Sequence, residues 1–330
     1  MELLPQIGWL VLGLALLSFG ADWLVRGASD LALRARISPL VVGLTVVAFG
    51  TSAPELIVSL KANLDPETQA DIAVGNVVGS NICNIALLLG LAALIRPFQV
   101  NSQIVKRELP ILLLVTAVFV VMIYDRTLSR LEGVLLFAGI LIYVTHSIRL
   151  ARSVPDDPAA IEVPEEALEH SKETGARAIL SSVGWVLLGL AGLIYGADRL
   201  VESGVTLARI VGVPELVIGL TMVAIGTSLP ELATTIAATR KGQTDLIAGN
   251  LIGSNLFNIL VVMGVASAVK AIDVASLKTT DVAVMCGFTL LLIPFLARGA
   301  RLNRIEGAIL LGGYLVYCLW LVKPEWLGLG

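Results

Sequence analysis

Two matching stretches each place a glutamate inside an apolar run, and this limits the folds that the chain can adopt. Residues 42–56 read VGLTVVAFGTSAPEL, and residues 218–232 read IGLTMVAIGTSLPEL, 176 positions later. Each apolar run is broken in the middle by Gly-Thr-Ser-x-Pro-Glu. A Glu in lipid is costly unless it faces a protein interior or a water-filled cavity. The duplication therefore predicts one functional centre that contains Glu55 and Glu231.

The rest of the chain is as apolar as these two stretches. It is 56% hydrophobic and 15% charged, with a mean hydropathy of +0.88, whereas roughly a quarter of an average soluble domain is charged. Apolar runs of membrane-spanning length recur, and their failure to alternate argues against β-barrel strands. The first run lacks a small-residue cleavage site, so we expect a transmembrane helix rather than a signal peptide. Three widely separated cysteines exclude a zinc or disulfide framework.

We predict an all-α integral membrane protein with ten transmembrane helices. A polar, acidic stretch with three prolines divides the chain into a first five-helix unit at residues 1–150, a linker at 151–176 and a second five-helix unit at 177–330. The predicted helices are about Ile7–Leu33, Pro39–Lys61, Asp71–Leu94, Val105–Tyr124, Leu131–Leu150, Ile179–Arg209, Pro214–Thr239, Leu246–Lys270, Val282–Leu296 and Ile305–Val322.

The two units repeat one another beyond the glutamate motif. Phe19-Gly-Ala-Asp22 is matched by Tyr195-Gly-Ala-Asp198, and the GNVVGSNICN run at 75–84 is matched by GNLIGSNLFN at 249–258. Five helices are an odd number, so the second unit must enter the membrane from the opposite face. Such an inverted-topology repeat is typical of transporters that bind their substrate near the membrane midplane.

The basic residues predict the orientation. With ten spans, eight of the 23 Lys and Arg residues lie on the face that carries the termini, and the other fifteen lie on the opposite face. The positive-inside rule then places the linker in the cytoplasm and both termini outside. We expect the protein in the inner (plasma) membrane of the cell.

The broken motifs are suited to binding a hard cation. Pro54 has no N–H and its ring clashes with the Gly50 carbonyl, so we expect the helix to loosen and to free carbonyl oxygens. Carbonyl, hydroxyl and carboxylate oxygens together suit Ca²⁺ or Na⁺, and nothing favours zinc, copper or iron because His and Cys do not cluster. The expected oxygen donors of the two motifs are Ala48, Thr51, Ser52, Glu55, Ala224, Thr227, Ser228 and Glu231.

A second pair of helices adds candidate ligands. Ser80 and Asn84 are spaced i,i+4, as are Ser254 and Asn258, so each pair shares a helix face. Close helix packing with interhelical hydrogen bonds is the alternative role for such residues, but their duplication beside a duplicated Glu motif favours ion binding. Packing or support is the more natural role for Asn76, Asn81, Asn250 and Asn255. Asp22 and Asp198 suit an interfacial cap, an ion entrance or a structural role.

The two motifs, each followed by Gly-Ser-Asn-x-x-Asn, resemble the paired α-repeats of the sodium/calcium exchanger family, in the prokaryotic branch of the cation/calcium antiporter superfamily. The resemblance implies alternating access by sliding of helices one and six, and four adjoining sites at which Na⁺ and Ca²⁺ compete. It implies as ligands the side chains of Ser52, Glu55, Ser80, Asn84, Ser228, Glu231, Ser254 and Asn258, and the carbonyls of Ala48, Thr51, Ala224 and Thr227.

One position departs from the family pattern. Some members, including potassium-dependent ones, carry Asp where this chain has Asn258, so potassium transport is not expected here. The proton/calcium exchangers typically carry a GN-x-x-E version of the first motif, so Gly-Thr-Ser-x-Pro-Glu favours sodium.

Other functions remain as alternatives. Ca²⁺/H⁺ exchange is the alternative within transport, and a cation channel or an intramembrane ion sensor are alternatives from other classes. The chain has no GxSxG, P-loop or zincin motif, so we expect no enzymatic activity. We also expect no cofactor besides the transported ions, no nucleic acid and no obligate protein partner.

Overall fold

The computed structural model describes residues 3–35, 37–64, 71–153, 176–210, 226–275, 277–297 and 299–322, and the structural statements below concern those residues. Among them, seven helices are long and apolar enough to cross a membrane. An eighth candidate is a bent pair, Pro39–Thr51 with Ala53–Leu64, whose two parts meet at 42°. The prediction of a helical protein that crosses a membrane several times is therefore confirmed.

Helices make up nearly all of the described chain. Four π-helical turns, Gly43–Val47, Cys83–Leu89, Ile104–Glu108 and Asn258–Met263, are continuous with α-helices. In chain order the other elements are α1 Leu3–Ala35, α2 Pro39–Val42, α3 Ala48–Thr51, α4 Ala53–Leu64, α5 Asp71–Ile82, α6 Gly90–Ile95, β1 Phe98–Gln99, α7 Leu109–Met122, β2 Thr127–Leu128, α8 Arg130–Ser153, α9 Ala176–Ile210, α10 Leu229–Arg240, α11 Thr244–Phe257, α12 Gly264–Val269, β3 Ile272–Asp273, α13 Thr279–Ala297, β4 Arg301–Leu302 and α14 Arg304–Val322.

The predicted helices match these elements with ends shifted by a few residues, which is the usual uncertainty of a helix boundary. The fourth predicted helix corresponds to the π turn Ile104–Glu108 followed by α7. Only the second part of the seventh, α10, is described, because residues 211–225 lie outside the described ranges. The flanks of the predicted linker are helical as far as Ser153 and from Ala176 onward, while residues 154–175 also lie outside the described ranges.

The two longest helices, α1 and α9, run antiparallel and touch through glycines. A Cβ atom added to Gly20 would lie 2.8 Å from the backbone nitrogen of Leu193, and one added to Gly196 would lie 2.9 Å from the carbonyl oxygen of Gly13. Farther along, a Cβ on Gly27 would lie 2.7 Å from the nitrogen of Val186. Small residues permit this close backbone approach, which is a common basis of helix packing in membranes.

Two further glycine contacts, α6 with α14 and α8 with α12, are equivalent to each other. Each joins a helix of the first unit to a helix of the second, with the roles of the two units swapped. A Cβ on Gly307 in α14 would lie 2.8 Å from the carbonyl oxygen of Gly90 in α6. A Cβ on Gly133 in α8 would lie 2.7 Å from the carbonyl oxygen of Gly264 in α12. Gly264 follows Gly90 by 174 positions, and Gly307 follows Gly133 by the same number. Each unit thus holds the other through equivalent residues.

Two small antiparallel strand pairs repeat this exchange in the loops. β1 pairs with β4 through Phe98 and Leu302, and β2 pairs with β3 through Leu128 and Ile272. Phe98 and Ile272 are again 174 positions apart, as are Leu128 and Leu302. The loops after α6 and α13 are therefore joined to each other, and so are the loops after α7 and α12.

The Gly90–Gly307 contact predicts a local sensitivity to side-chain size. We expect Gly307→Val to lower the free energy of unfolding by about 1–3 kcal/mol, because the added atoms overpack a backbone contact. Gly312→Val on the same helix is the matched control, since a Cβ there meets nothing within 4 Å. Thermal unfolding of both variants in detergent measures the difference, and equal melting temperatures would show that the contact is not tight.

Candidate ion-binding site

Each Gly-Thr-Ser-x-Pro-Glu motif interrupts its helix at the serine. Ser52 lies between α3 and α4 with φ −84° and ψ 6°, and Ser228 precedes α10 with φ −90° and ψ 6°. The proline two positions later has no N–H with which to continue the earlier helix. Glu55 and Glu231 consequently fall in the first turn of the helix that follows, where the helix dipole favours a negative charge.

The carbonyl of Ala48 is not free, contrary to expectation. Its oxygen accepts the N–H of Ser52 at 3.0 Å and the hydroxyl of Thr51 at 3.4 Å. The helical hydrogen bonds are thus still intact at the Ala48 carbonyl, and the break before Pro54 comes later in the chain. Ala224, its predicted counterpart, lies outside the described residues.

Each buried glutamate accepts a hydrogen bond from the serine of the other motif. The Ser52 hydroxyl donates to Oε1 of Glu231 at 3.3 Å, and the Ser228 hydroxyl donates to Oε1 of Glu55 at 3.5 Å. Ser80 also donates to Oε1 of Glu55, at 3.3 Å, and its oxygen lies 3.3 Å from that of Ser228. All five side chains are at most 3% exposed. The two motifs therefore form one buried cluster.

The threonines of the motifs contact the opposite unit in the same exchanged way. Thr51 donates to Oδ1 of Asn250 at 3.3 Å, and Thr227 donates to Oδ1 of Asn76 at 3.2 Å. The Thr51 hydroxyl also lies 3.5 Å from that of Ser254. The Thr51 hydroxyl therefore joins the first motif to α11 of the second unit.

Asn84 and Asn258 are held by two of the asparagines predicted to have supporting roles. The amide nitrogen of Asn84 donates to Oδ1 of Asn255 at 3.3 Å, and that of Asn258 donates to Oδ1 of Asn81 at 3.1 Å. Both donors lie in π-helical turns, which occur often at functional sites. Each of these amide nitrogens therefore bonds to a residue of the opposite unit.

Four buried oxygens of this cluster have no hydrogen-bond donor among the described residues. They are Oε2 of Glu55, Oε2 of Glu231, Oδ1 of Asn84 and Oδ1 of Asn258. Glu55 and Asn84 belong to the first unit, and Glu231 and Asn258 are the equivalent residues of the second unit. Buried polar oxygens are normally paired. This set of unpaired oxygens is therefore suited to coordinating a cation.

A third buried acid, Glu108, has hydrogen-bond donors for both of its carboxylate oxygens. Glu108 is completely buried, and its Oε1 accepts from Arg107 at 2.8 Å and from Gln103 at 3.2 Å. Its Oε2 accepts the hydroxyl of Tyr143 at 2.8 Å. Sequence reasoning missed this acid, although the adjacent arginine was a signal for an internal ion pair. Because Glu108 is fully bonded, it fits a structural role.

The duplicated aspartates form ion pairs elsewhere. Asp22 Oδ1 lies 3.0 Å from Nζ of Lys241, and Asp198 Oδ2 lies 2.6 Å from Nη2 of Arg199. Both carboxylates are more than half exposed. Both aspartates therefore lie at the surface of the described chain, in ion pairs within their long helices or to α10's end.

The chemistry of the cluster is that of hard oxygen donors. Two carboxylates and three serine hydroxyls form the hydrogen-bonded cluster. The described ranges contain no group of three or more His, Cys, Asp or Glu side chains that could hold a metal ion. Oxygen donors of this kind suit Ca²⁺ and Na⁺.

Comparison with known proteins gives this cluster its context. The family described as sodium/calcium exchanger protein matches residues 5–149 and 181–323, which is most of both units. The chain belongs to this family. Family membership makes it a multi-pass membrane transporter, and the two matched stretches correspond to the two copies of the repeated motifs.

Relatives within and near the exchanger family cover nearly the whole chain. The putative antiporter CaxA of Alkalimonas amylolytica is 41% identical over 94% of this chain and 96% of its own. The inner membrane protein YrbG of Escherichia coli is 40% identical over 96% of each chain. The sodium/calcium exchanger MaX1 of Methanosarcina acetivorans is 32% identical over 93% of this chain and 96% of its own.

Solved structures of an exchanger share the fold. The sodium-calcium exchanger NCX_Mj, in crystals soaked with 10 mM Na⁺ and 10 mM Sr²⁺, matches with a TM-score of 0.81. It is 31% identical, and the match covers 94% of this chain and 96% of that one. The helical arrangement described above is therefore that of a sodium-calcium exchanger.

The threonine contacts of the site can be tested by removing one hydroxyl. We expect Thr51→Val to lower the free energy of unfolding by about 1 kcal/mol, because it deletes an interhelical hydrogen bond to Asn250. Thr289→Val is the matched control, since that buried hydroxyl bonds the Met285 carbonyl of its own helix at 2.8 Å and such bonds add little to a helix. Chemical unfolding in detergent compares the two, and an equal loss would contradict the interhelical role.

Proposed function

We propose that this protein is a secondary active antiporter that exchanges Ca²⁺ for Na⁺ at the buried oxygen cluster by alternating access. The observation that carries the proposal is the pair of buried carboxylates, Glu55 and Glu231, each with one oxygen that lacks a donor among the described residues. Buried charges are normally paired or bind a cation. Here the compensating cation is the transported ion itself.

The charge of the cluster sets what it can carry. Two ionised carboxylates balance one Ca²⁺, and the unpaired amide oxygens of Asn84 and Asn258 add neutral donors. Each Na⁺ carries one positive charge, so the same two carboxylates balance two Na⁺ ions. Hydroxyl oxygens complete the coordination. The proposed ligands are the side chains of Ser52, Glu55, Ser80, Asn84, Ser228, Glu231, Ser254 and Asn258 and the carbonyls of Ala48, Thr51, Ala224 and Thr227.

The serine hydroxyls can serve a bound cation and the carboxylates together. In the present arrangement the hydroxyls of Ser52 and Ser228 donate to the carboxylates. Because a hydroxyl oxygen has two lone pairs besides its O–H, each can coordinate a cation while its hydrogen bond to Glu stays in place. The Ala48 carbonyl already accepts two hydrogen bonds, so it needs the Thr51 hydroxyl to move away before it can coordinate an ion.

We infer that the two units, residues 1–150 and 177–330, are inverted repeats of five membrane-spanning helices. The exchanged glycine contacts and strand pairs support a two-fold relation, because each contact returns with its partners swapped. A repeat interface is where such transporters bind their ions. The close antiparallel contact of α1 with α9 supports sliding of those two helices together as a pair. A second structure with α1 and α9 in the same position but opposite access would contradict the sliding.

We infer further that both termini face outward and that the 151–176 linker is cytoplasmic. The unequal distribution of basic residues, fifteen of 23 on the linker face, supports this orientation. YrbG, one of the relatives, is named as an inner membrane protein. Single cysteines placed in the linker should react with an impermeant reagent only from the cytoplasmic side; labelling from outside would reverse the orientation.

Sodium rather than proton coupling is supported by the motif and by the relative named as a sodium/calcium exchanger. The alternative is Ca²⁺/H⁺ exchange, since the same unpaired Oε2 atoms of Glu55 and Glu231 could accept protons. Potassium coupling is not expected, because the cluster has no third acid: position 258 is Asn rather than Asp. Relatives named as sodium/potassium/calcium exchangers match only about half of the chain, at 26% identity or less for those of mouse and chicken.

The driving ion can be measured directly. In proteoliposomes loaded with Ca²⁺, we expect an imposed Na⁺ gradient to drive Ca²⁺ flux, and we expect H⁺ and K⁺ gradients alone to drive little. The reason is that two carboxylates and neutral oxygens suffice for Ca²⁺ and Na⁺. Flux that responds to a pH gradient without Na⁺ would favour proton coupling, and flux that requires K⁺ would refute the assignment based on Asn258.

The two carboxylates can be tested one at a time. We expect Glu55→Gln and Glu231→Gln each to reduce Ca²⁺ flux by at least about 100-fold, because either change leaves one negative charge for a divalent ion, a loss of several kcal/mol. Glu202→Gln is the matched control, since that carboxylate is exposed on α9 and pairs with Arg199. Size-exclusion profiles check folding, and near-normal flux in either site variant would remove that residue from the ligand set.

A further inference from the structure

An open apolar groove lies between α13 and α14, away from the ion cluster. Its volume is about 670 Å³, and its lining includes Gly287, Phe288, Val316, Tyr317 and Trp320. A Cβ added to Gly287 would meet nothing within 4 Å, and Val316 is 54% exposed. The groove therefore faces the surroundings of the helix bundle, which for a membrane protein are lipid chains.

A basic cavity continues the groove at one end. Its volume is about 520 Å³, and its lining includes Arg126 and Lys278. Thr280 and Trp320 line both spaces, so the two are continuous. Nζ of Lys278 lies 5.6 Å from the ring centre of Trp320. An aromatic ring with a cation beside it, at the end of an apolar groove, is typical of the boundary between lipid chains and headgroups.

The orientation of Arg126 is set by the neighbouring loop. Its Nη1 donates to the carbonyl of Leu277 at 2.9 Å, and its Nη2 donates to the hydroxyl of Thr279 at 3.4 Å. The nearby acid Asp281 accepts the hydroxyl of Tyr317 at 3.0 Å. That hydrogen bond directs one carboxylate oxygen toward α14, and Asp281 does not line the basic cavity.

The equivalent helix pair of the first unit is joined by a buried polar network. Tyr143 in α8, which corresponds to Tyr317 at a spacing of 174, binds the fully buried Glu108. Arg107 binds the same acid at 2.6 Å and reaches Ser147 at 3.2 Å. In the second unit Tyr317 binds Asp281, and the position that corresponds to Glu108 is Val282. The described residues that line the groove therefore do not repeat this buried network.

We propose that the groove and the basic cavity together bind one anionic phospholipid, with an acyl chain in the groove and the phosphate beside Lys278 and Arg126. The groove volume falls within the range of small-molecule sites, roughly 300–1,000 Å³. Basic side chains near a membrane surface attract anionic lipids, by about 1 kcal/mol each. The proposal rests on membrane insertion and is independent of which ions the protein exchanges.

Native mass spectrometry of the purified, delipidated protein tests this site. Phosphatidylglycerol and phosphatidylcholine with identical chains are titrated separately, and the occupancy of the first bound lipid is compared. We expect phosphatidylglycerol to bind the wild type more tightly. Lys278→Gln should weaken phosphatidylglycerol binding about fivefold, the equivalent of one lost basic contact, and should change phosphatidylcholine binding little. Gly287→Leu should weaken both lipids, because its side chain fills the groove.

Two control variants make the result specific. Arg130→Gln removes an exposed basic residue that lines neither cavity, and Gly312→Leu adds the same side chain to α14 at a position with nothing within 4 Å. Both should bind phosphatidylglycerol like the wild type. Equal binding of the two lipids, or equal losses in site and control variants, would overturn the proposal. If Gly287→Leu does not fold, the lipid comparison and the Lys278→Gln and Arg130→Gln pair decide the question.

Discussion

Two carboxylates buried together inside a membrane protein are the constraint on which the rest of this structure depends. Glu55 and Glu231 are each 1% exposed, and the hydrogen bonds that reach them come from neutral hydroxyl and backbone groups. Glu108, by contrast, has an arginine beside it. A buried acid with a fixed cation is a structural element, whereas a buried acid with neutral donors and an unpaired oxygen needs a cation from outside. That difference separates the proposed transport site from the scaffold.

The surrounding architecture follows from keeping these acids out of lipid. Each accepts a hydroxyl from the opposite unit, so the site is complete only when the units are packed together. Glycines at the α6–α14 and α8–α12 contacts let the backbones approach closely enough, and the paired loop strands join the same units again near the surface. Helices α1 and α9 contact each other through glycines rather than interlocking side chains, which suits movement against this scaffold.

The sequence predicted the elements of the site better than their connections. Duplicated apolar runs broken at proline predicted that Glu55, Glu231 and their serines lie together, because an acid in such a run is costly and marks a candidate functional site. Sequence could not show that Ser52 binds Glu231 rather than Glu55, since that depends on how the units pack. It also wrongly assigned a free carbonyl to Ala48, because the helical bond from the Ser52 N–H lies before Pro54 and stays intact. The fully bonded Glu108 was missed because its partner Tyr143 is distant in sequence.

The exchanged serine contacts also bear on how the protein is made. A ribosome completes residues 1–150 before it adds Ser228, so the newly inserted first unit holds Glu55 with Ser80 as its only hydroxyl donor from the described cluster. An under-compensated carboxylate in a bilayer favours protonation or a return to the interface. Arrival of the second unit supplies the missing donor and a second acid at the same moment. The donor set of Glu55 is therefore completed only after the second unit has been made and has packed against the first.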